Sequence, residues 1–422
     1  MDATQYEYLR LNKYLLFTIG TWPYQTVLQR IFVGIIFISI IATQVIVQVS
    51  IKSNNLLLVF FYRLILIFYY YWSLLIGGMI TAILDGDIES FLESFAPVTI
   101  SLMCLAKYIN FFYNFDQMRR LLDIMRDDWK MYTKTRNEFE IFCEQYAVGR
   151  KLTTTLATFL FGLITPFAAM PLLLNAADAL GLCNLSDNRP LAFRVEHFLD
   201  VDKYYYPLLV HSYFGTVAYT AIVVAINSII AVYVRHECGL CEILRMKLEN
   251  FVEDDNMDIN LHPNEHEDRW YRNARECVLL HKHIIEFAKI LEDANTTSYL
   301  LQLGLNMICV SFTQFQAVIN LEDTAMVLRY VSVSICLLCD LLFVSWPGQQ
   351  LSDYTERIFR YTTNGKWYQS SINCRKLLTI MLSKSVTPLK LTACKLYTLN
   401  LESFSAVART SFSYTMVLCS LQ

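Results

Sequence analysis

The chain has 422 residues, 55% of them hydrophobic and 17% charged, with a formal net charge of −3. So much apolar surface cannot be buried by one or two soluble domains, which excludes a soluble protein and describes a polytopic membrane protein. The negative balance argues against a nucleic-acid partner, which needs a basic surface.

Residues 1–30 carry Asp2, Glu7, Arg10 and Lys13 before any long apolar run. No small-residue cleavage site precedes the first apolar stretch, so a removed signal peptide is not expected and the first span directs membrane entry. Apolar stretches follow at roughly 31–50, 56–83, 94–114, 153–174, 204–234, 298–320 and 326–346, with an eighth at the C-terminus. Lys and Arg set their sidedness, because short loops rich in them stay cytoplasmic. The segment after Phe112 holds Arg119, Arg120, Arg126, Lys130, Lys134, Arg136, Arg150 and Lys151 and reads as cytoplasmic. The acid-rich loop 175–203 holds Asp178, Asp187, Glu196, Asp200 and Asp202 and reads as external. It carries the sequon Asn184-Leu185-Ser186, which makes Asn184 a glycosylation candidate. Segment 235–297 is again rich in Lys and Arg, Leu321-Glu322-Asp323 is short and acidic, and 347–395 is basic throughout, so the sides alternate.

Counting back, the stretch 94–114 must begin outside, in agreement with Asp85, Asp87, Glu89 and Glu93 before it. With a cytoplasmic N-terminus, 56–83 then cannot also span; with an external N-terminus it does. Arg63, near the middle of that stretch, disfavours a lipid-facing placement. Residues 54–84 thus stand as an extra apolar insert, a gene-model artefact or a lineage-specific insertion, set against a true eighth span.

Segment 235–297 has helical spacing at Cys277, Leu280, Ile284 and Phe287 and is expected to extend the flanking spans into the cytoplasm. Its centre, Glu253 to Asp268, is acidic and reads as a loop. His236 with Cys238-Gly239-Leu240-Cys241, and His262 and His266 downstream, superficially resembles zinc-ligand spacing. The set completes no known pattern, and no metal site is expected. Twelve cysteines, several of them in apolar segments, pack as small hydrophobes there and define no disulfide framework. Neither a nucleophile elbow nor a phosphate-binding glycine loop is present, so the residues support neither an enzyme nor a cofactor. His211 and Tyr213 in 204–234 and Thr165 in 153–174 are polar groups within spans. They either orient a ligand or pack between helices, and the residues leave both open. Asp340 sits towards the inner end of 326–346 and suits structure or gating more than ligand contact.

The last stretch, Leu396 to Gln422, begins polar and ends apolar. From Thr410 to Leu421 it has about 12 residues, against the roughly 20 of a full span, so anchorage and pore lining both fit it. Its residues Leu401-Glu402-Ser403-Phe404 and Thr410-Ser411-Phe412-Ser413-Tyr414 resemble the closing signature of insect odorant receptors. Pro347-Gly348-Gln349-Gln350-Leu351, Trp367-Tyr368, Arg126-Asp127-Asp128-Trp129 and the opening LNKYLLFTIGTWPYQ are similar to the same family in order and spacing. The likeness is nearest to receptors of ants, bees and wasps, and the insert 54–84 is its main departure.

The resemblance implies an all-α membrane protein of seven transmembrane helices with a cytoplasmic N-terminus. It has 31–346 as helices one to six with their loops, 347–395 as a cytoplasmic anchor region and 396–422 as a pore-lining final helix. It implies a tuning subunit that joins an olfactory coreceptor in a tetramer, binds a volatile odorant and passes monovalent and divalent cations across the plasma membrane of olfactory neurons. The implied pocket lies among 94–114, 153–174, 204–234 and 326–346, with Phe95, Thr99, Phe161, Thr165, His211, Phe214 and Tyr330 as walls or orienting groups. Val417 and Leu421 match the hydrophobic constriction of the pore and Ser420 its polar ring, while Thr415-Met416 departs from the usual Phe-Thr. Two rival readings are a G-protein-coupled receptor, which needs an external N-terminus, and a transporter, which usually shows matched repeats with broken helices.

Overall fold

The structure is a computed structural model that describes residues 3–48, 88–180, 201–249, 269–365 and 367–420. The insert 54–84, Asn184 and Leu421 lie outside the described residues. Apart from one small hairpin, the described chain is helical: α1 (Ala3–Thr18), α2 (Val27–Gln48), α3 (Ile88–Tyr113), α4 (Phe115–Tyr132), α5 (Arg136–Ala179), α6 (Val201–Glu249), α7 (Arg269–Ile319), α8 (Thr324–Asn364), α9 (Ile372–Ser385) and α10 (Leu401–Ser420). The apolar stretches that the sequence places from 94 to 346 each run along one of α3, α5, α6, α7 and α8.

Local chemistry sets several helix ends. Gly20, at a φ of +74°, closes α1 with Gly20 N–H donating to Phe17 O at 3.2 Å and Thr21 N–H to Leu16 O at 2.9 Å. That pair of bonds is the left-handed C-terminal cap that favours glycine. Thr135 and Glu138 form a reciprocal capping box at the start of α5: Thr135 N–H donates to Glu138 Oε2 (3.2 Å) and Glu138 N–H to Thr135 Oγ1 (3.3 Å). Ser371 caps α9 by accepting from Cys374 N–H at 3.3 Å.

The 49 residues of α6 and 51 of α7 correspond to about 75 Å of helix at 1.5 Å per residue. Each therefore runs far beyond the roughly 30 Å hydrocarbon core of a bilayer. Among the described residues, three helical segments are long and apolar enough to cross a membrane by composition alone: Phe95–Tyr113, Tyr205–Glu249 and Met326–Asn364. In α7, buried Asn295, Ser298, Gln302 and Asn306 lower the hydropathy, since they face other helices rather than lipid.

A continuous core joins α1, α4 and α9 to the lower lengths of α5 to α8 and takes in Ile41 of α2, Tyr108 and Phe111 of α3 and Val407 of α10, forming a basal bundle. In α4 the buried residues Met118, Leu121, Leu122, Met125, Asp128 and Trp129 recur at helical spacing and turn one face into this core. Asn12 of α1 donates to Thr153 Oγ1 (3.2 Å) and Ser228 Oγ (3.0 Å), tying the first helix to α5 and α6. Away from the bundle, α2 exposes Leu28, Ile31, Phe32 and Ile35, an apolar face suited to lipid.

Candidate ligand cavity and pore helix

Between α3, α5, α6 and α8 lies a cavity of about 140 Å³. Its walls are mostly aliphatic or aromatic, including Ile100 and Met103 of α3, Leu160 and Ile164 of α5, Tyr219 and Val223 of α6, and Val333 and Leu337 of α8. Thr216, Thr220 and Ser332 add hydroxyls. Each of these also donates to a carbonyl one turn back in its own helix, at 2.7–2.9 Å, which satisfies the proton and leaves oxygen lone pairs as acceptors. Apolar walls with few polar groups suit a small, largely apolar ligand.

The cavity wall also includes an ion pair, Lys107 of α3 and Asp340 of α8. Lys107 Nζ donates to Asp340 Oδ1 (2.8 Å) and Oδ2 (3.1 Å) and to Asn227 Oδ1 of α6 (3.2 Å). Asn227 Nδ2 donates to Asp340 Oδ1 at 2.6 Å, and Gln302 Nε2 of α7 to Asp340 Oδ2 at 2.7 Å. All four residues are buried. Attraction between buried charges repays their desolvation only when further hydrogen bonds satisfy the remaining sites, and here both amides do so. The knot therefore crosses four helices.

Of the expected pocket residues, all seven lie on the expected helices, but none is among the residues that line this cavity. Phe95 turns towards α7, with its ring 4.2 Å from that of Phe312. Thr99 is buried and donates to Phe95 O at 2.8 Å. Phe161 packs at the edge of a cluster of Leu156, Leu160 and Val224, of which Leu160 also lines the cavity. Thr165 and His211 are half-buried, Phe214 is exposed and Tyr330 is buried. Residues that do line the cavity are one or two positions away from each of these except His211, whose nearest is Thr216. Sequence reasoning passed over Lys107, Asn227 and Gln302; the available signal was an opposite-signed pair, Lys107 and Asp340, inside two apolar stretches.

α10 lies against α7 and, more lightly, α8. Its buried residues Val407, Ser411 and Thr415 are four apart and form one stripe. Ser411 Oγ donates to Met307 O (3.3 Å), and Thr415 Oγ1 lies 3.1 Å from Ser311 O and 3.0 Å from Gln314 Oε1. The opposite face, with Phe412, Met416, Val417 and Ser420, is exposed in the single chain. At its foot, Asn400 Oδ1 accepts from Ser403 N–H (2.7 Å) and Gln349 Oε1 from Leu401 N–H (3.4 Å). A two-stranded hairpin, Thr392–Ala393 with Tyr397–Thr398, precedes it, and Cys394 N–H donates to Thr296 Oγ1 of α7 (2.6 Å).

Comparison with known proteins places this architecture. The model of the 7tm Odorant receptor family matches residues 87–412. The chain belongs to that family. Within it, the chain is similar to Odorant receptor 13a of Drosophila melanogaster, at 22% identity over 361 residues, covering 79% of this chain and 81% of the relative. Its fold matches that of the insect olfactory receptor OR5 from Machilis hrabei, solved alone and in complex with eugenol. In both cases the TM-score is 0.72 at 10% identity, over 99% of this chain. The protein is thus a membrane receptor of the odorant receptor family with the all-helical fold of that group. The family match begins at residue 87, just after the insert 54–84.

In this receptor the Arg126-Asp127-Asp128-Trp129 run and the His236-to-Cys241 run meet in the basal bundle. His236 Nε2 of α6 lies 3.0 Å from Asp128 Oδ2, and His283 Nε2 of α7 lies 2.8 and 2.9 Å from the two carboxylate oxygens. A carboxylate only accepts, so both Nε2 atoms donate; Tyr146 OH, 3.1 Å from His236 Nδ1, completes the chain. Burial alone would raise the Asp128 pKa, but hydrogen bonds from the two imidazoles hold it below the usual value. The hydrogen bond to Asp128 raises His283. Gly239 completes the packing, because a Cβ there would stand 3.0 Å from the Phe142 ring, which stacks on His236 at 5.3 Å. Cys238 and Cys241 are buried in the same core.

Proposed function

We propose that this chain is the odorant-binding tuning subunit of a heteromeric odorant-gated cation channel in the plasma membrane of olfactory sensory neurons. It assembles with a coreceptor subunit, spans the lipid bilayer with seven helices from a cytoplasmic N-terminus, and is glycosylated at Asn184. The observation that carries this reading is the position of α7, which hydrogen-bonds the cavity's buried carboxylate through Gln302 and the final helix through its Met307 and Ser311 carbonyls. The cavity of α3, α5, α6 and α8 receives the odorant, and Phe95, Thr99, Phe161, Thr165, His211, Phe214 and Tyr330 back its walls. The Machilis relative was solved with eugenol, a small, mostly apolar molecule of the kind that such walls suit.

The exposed face of α10 lines the pore in the assembly, with Val417 and Leu421 as the apolar constriction and Ser420 beside it. An apolar ring closes a pore by dewetting, so a small outward movement of α10 admits water and with it monovalent and divalent cations. Opening is driven by tighter odorant binding to the open than to the closed state.

The test is current in cells expressing the chain with a coreceptor, with and without residues 54–84, over a panel of eugenol, hydrocarbons, alcohols and esters. A cation current that needs both subunits and an odorant is the expected result. Odorant responses that need a G protein and no coreceptor would overturn the channel reading. Current only after the deletion would mark 54–84 as foreign to the working receptor.

A further inference from the structure

The buried knot at Asp340 has no spare capacity. The three Nζ–H bonds of Lys107 go to Asp340 Oδ1, Asp340 Oδ2 and Asn227 Oδ1. Each carboxylate oxygen then takes one more donor, Asn227 on Oδ1 and Gln302 on Oδ2. A ligand group that reaches Lys107 or Asp340 gains a bond there only by displacing one of these. Charged ligands would also have to separate a buried ion pair, so the wall favours neutral molecules.

Gln302 differs from the other members of the knot. Lys107 and Asp340 line the cavity, whereas Gln302 is buried behind it on α7. From Gln302 onward, α7 is bonded alternately to two neighbours. Asn306 Nδ2 donates to the carbonyl of the cavity residue Leu337 at 3.0 Å, and Thr313 Oγ1 lies 2.7 Å from Ser334 Oγ of α8. On its other side Met307 O, Ser311 O and Gln314 Oε1 take Ser411 and Thr415 of α10. Within about three turns, one face of α7 is fixed to the cavity wall and the other to the pore helix. In a low-dielectric interior such bonds are costly to leave unmade, so the three helices shift together or not at all.

We propose that Gln302 is a positioning residue that couples cavity occupancy to α10: its amide ties the Asp340 carboxylate to α7, so displacement of that carboxylate by a bound odorant is passed to the pore helix. The proposal rests on the reading of the cavity as the odorant site and of α10 as the pore helix.

The experiment compares Gln302→Leu with Asn227→Leu in the full chain co-expressed with a coreceptor. Each removes one donor from the same carboxylate, and Asn227→Leu also removes an acceptor from Lys107, but Asn227 sits on α6, which makes none of the α10 bonds above. The probes are eugenol, straight-chain alcohols and their acetate esters. Two quantities are read: ligand-induced thermal stabilisation of the purified channel, which reports binding, and maximal current per channel at the surface, which reports gating. Gln302→Leu is expected to keep stabilisation within about twofold in half-saturating concentration and to lose about tenfold in maximal current, the size of a lost coupling contact. Asn227→Leu is expected to keep its maximal current. Should the leucine variant not reach the surface, Gln302→Met, with its unbranched stem, carries the same comparison.

Unchanged maximal current in the Gln302 variants overturns the proposal. So does an equal loss in Asn227→Leu, which would mean general loosening of the knot, or loss of binding together with current, which would make Gln302 part of the cavity. If the unaltered channel is neither stabilised nor opened by any probe, the reading of the odorant site fails before the coupling is reached, and the proposal falls with it.

Discussion

Gly348, in the Pro347-Gly348-Gln349 run of α8, offers the sharpest test of how α10 is held. A Cβ at this position would stand 2.2 Å from Leu399 O and 3.1 Å from Leu399 C, whereas ordinary carbon–oxygen contacts lie near about 3.3 Å. Alanine therefore requires a retreat of about 1 Å by the Leu399 backbone or by α8. Leu399 has little freedom: it is buried, its N–H donates to Leu391 O at 2.9 Å, and the next residue caps α10. Overpacking costs about 1–3 kcal/mol and is worst against backbone, while the better helix propensity of alanine returns about 1 kcal/mol. Taking the upper end of that range because the obstruction is backbone, the expected net for Gly348→Ala is a loss of about 2 kcal/mol, which for a chain of 422 residues corresponds to a thermal midpoint about 2 °C lower. Thermal unfolding of the detergent-solubilised receptor measures it. Truncating the Leu399 side chain should give no rescue, because the obstructing atom is a carbonyl oxygen. A midpoint at or above that of the native chain, or full rescue by Leu399→Ala, would refute the close-approach account.

The remaining predictions concern the basal cluster and the pore. Asp128→Ala strands His236 and His283, each losing a charge-assisted hydrogen bond, and is expected to cost about 3 kcal/mol or more; thermal unfolding with and without His283→Ala in a double-mutant cycle would show the shared term. His283 has its folded pKa raised from 6.5, first by the Asp128 hydrogen bond and also by nearby Glu286. Its contribution is therefore full below 6.5 and lost as pH rises through the raised value. The stability gap between native and His283→Phe should shrink as pH is raised above 6.5; a gap that grows would reverse the assignment. Asp128 works in the other direction: its lowered pKa supplies stability above 3.8 that is lost as pH falls through the folded value. At the proposed constriction, Val417→Ala and Leu421→Ala should raise odorant-free current in co-expressing cells, and unchanged basal current would remove that residue from the gate.

The spanning helices are readable because a span announces itself by length and apolar content, whereas the steric need for glycine at Gly348 shows only in the fold, where Leu399 O meets it. Azimuth was not readable. On a helix each residue turns by about 100°, so a choice made by height along the span, such as Thr99 for Ile100, Phe161 for Leu160 or Thr165 for Ile164, falls on a helix that borders the cavity with a different face towards it. Which face turns inward depends on neighbours hundreds of residues away, and a single chain carries no local mark of that. Lys107 was hidden by its surroundings, one cation in an apolar run whose partner lies on α8. The amides Asn227 and Gln302 read as ordinary polar residues until their shared carboxylate is known. The histidine–cysteine run shows the opposite case. It mimics a metal motif in sequence, yet in the fold His236 serves Asp128 and Tyr146 while Gly239 admits the Phe142 ring.

We propose that odorants bind between α3, α5, α6 and α8, and the odorant dose–response of two α8 variants tests this directly: Val333→Trp, which fills the cavity, and Val331→Trp, the same change on the exposed face of that helix, both with a coreceptor and with surface expression matched. A rise of at least about tenfold in half-maximal concentration, or abolished responses, is expected for Val333→Trp, because a bulky ring then occupies the binding cavity, with near-native behaviour for Val331→Trp. Native sensitivity in Val333→Trp, or a larger shift in Val331→Trp, would place the odorant elsewhere.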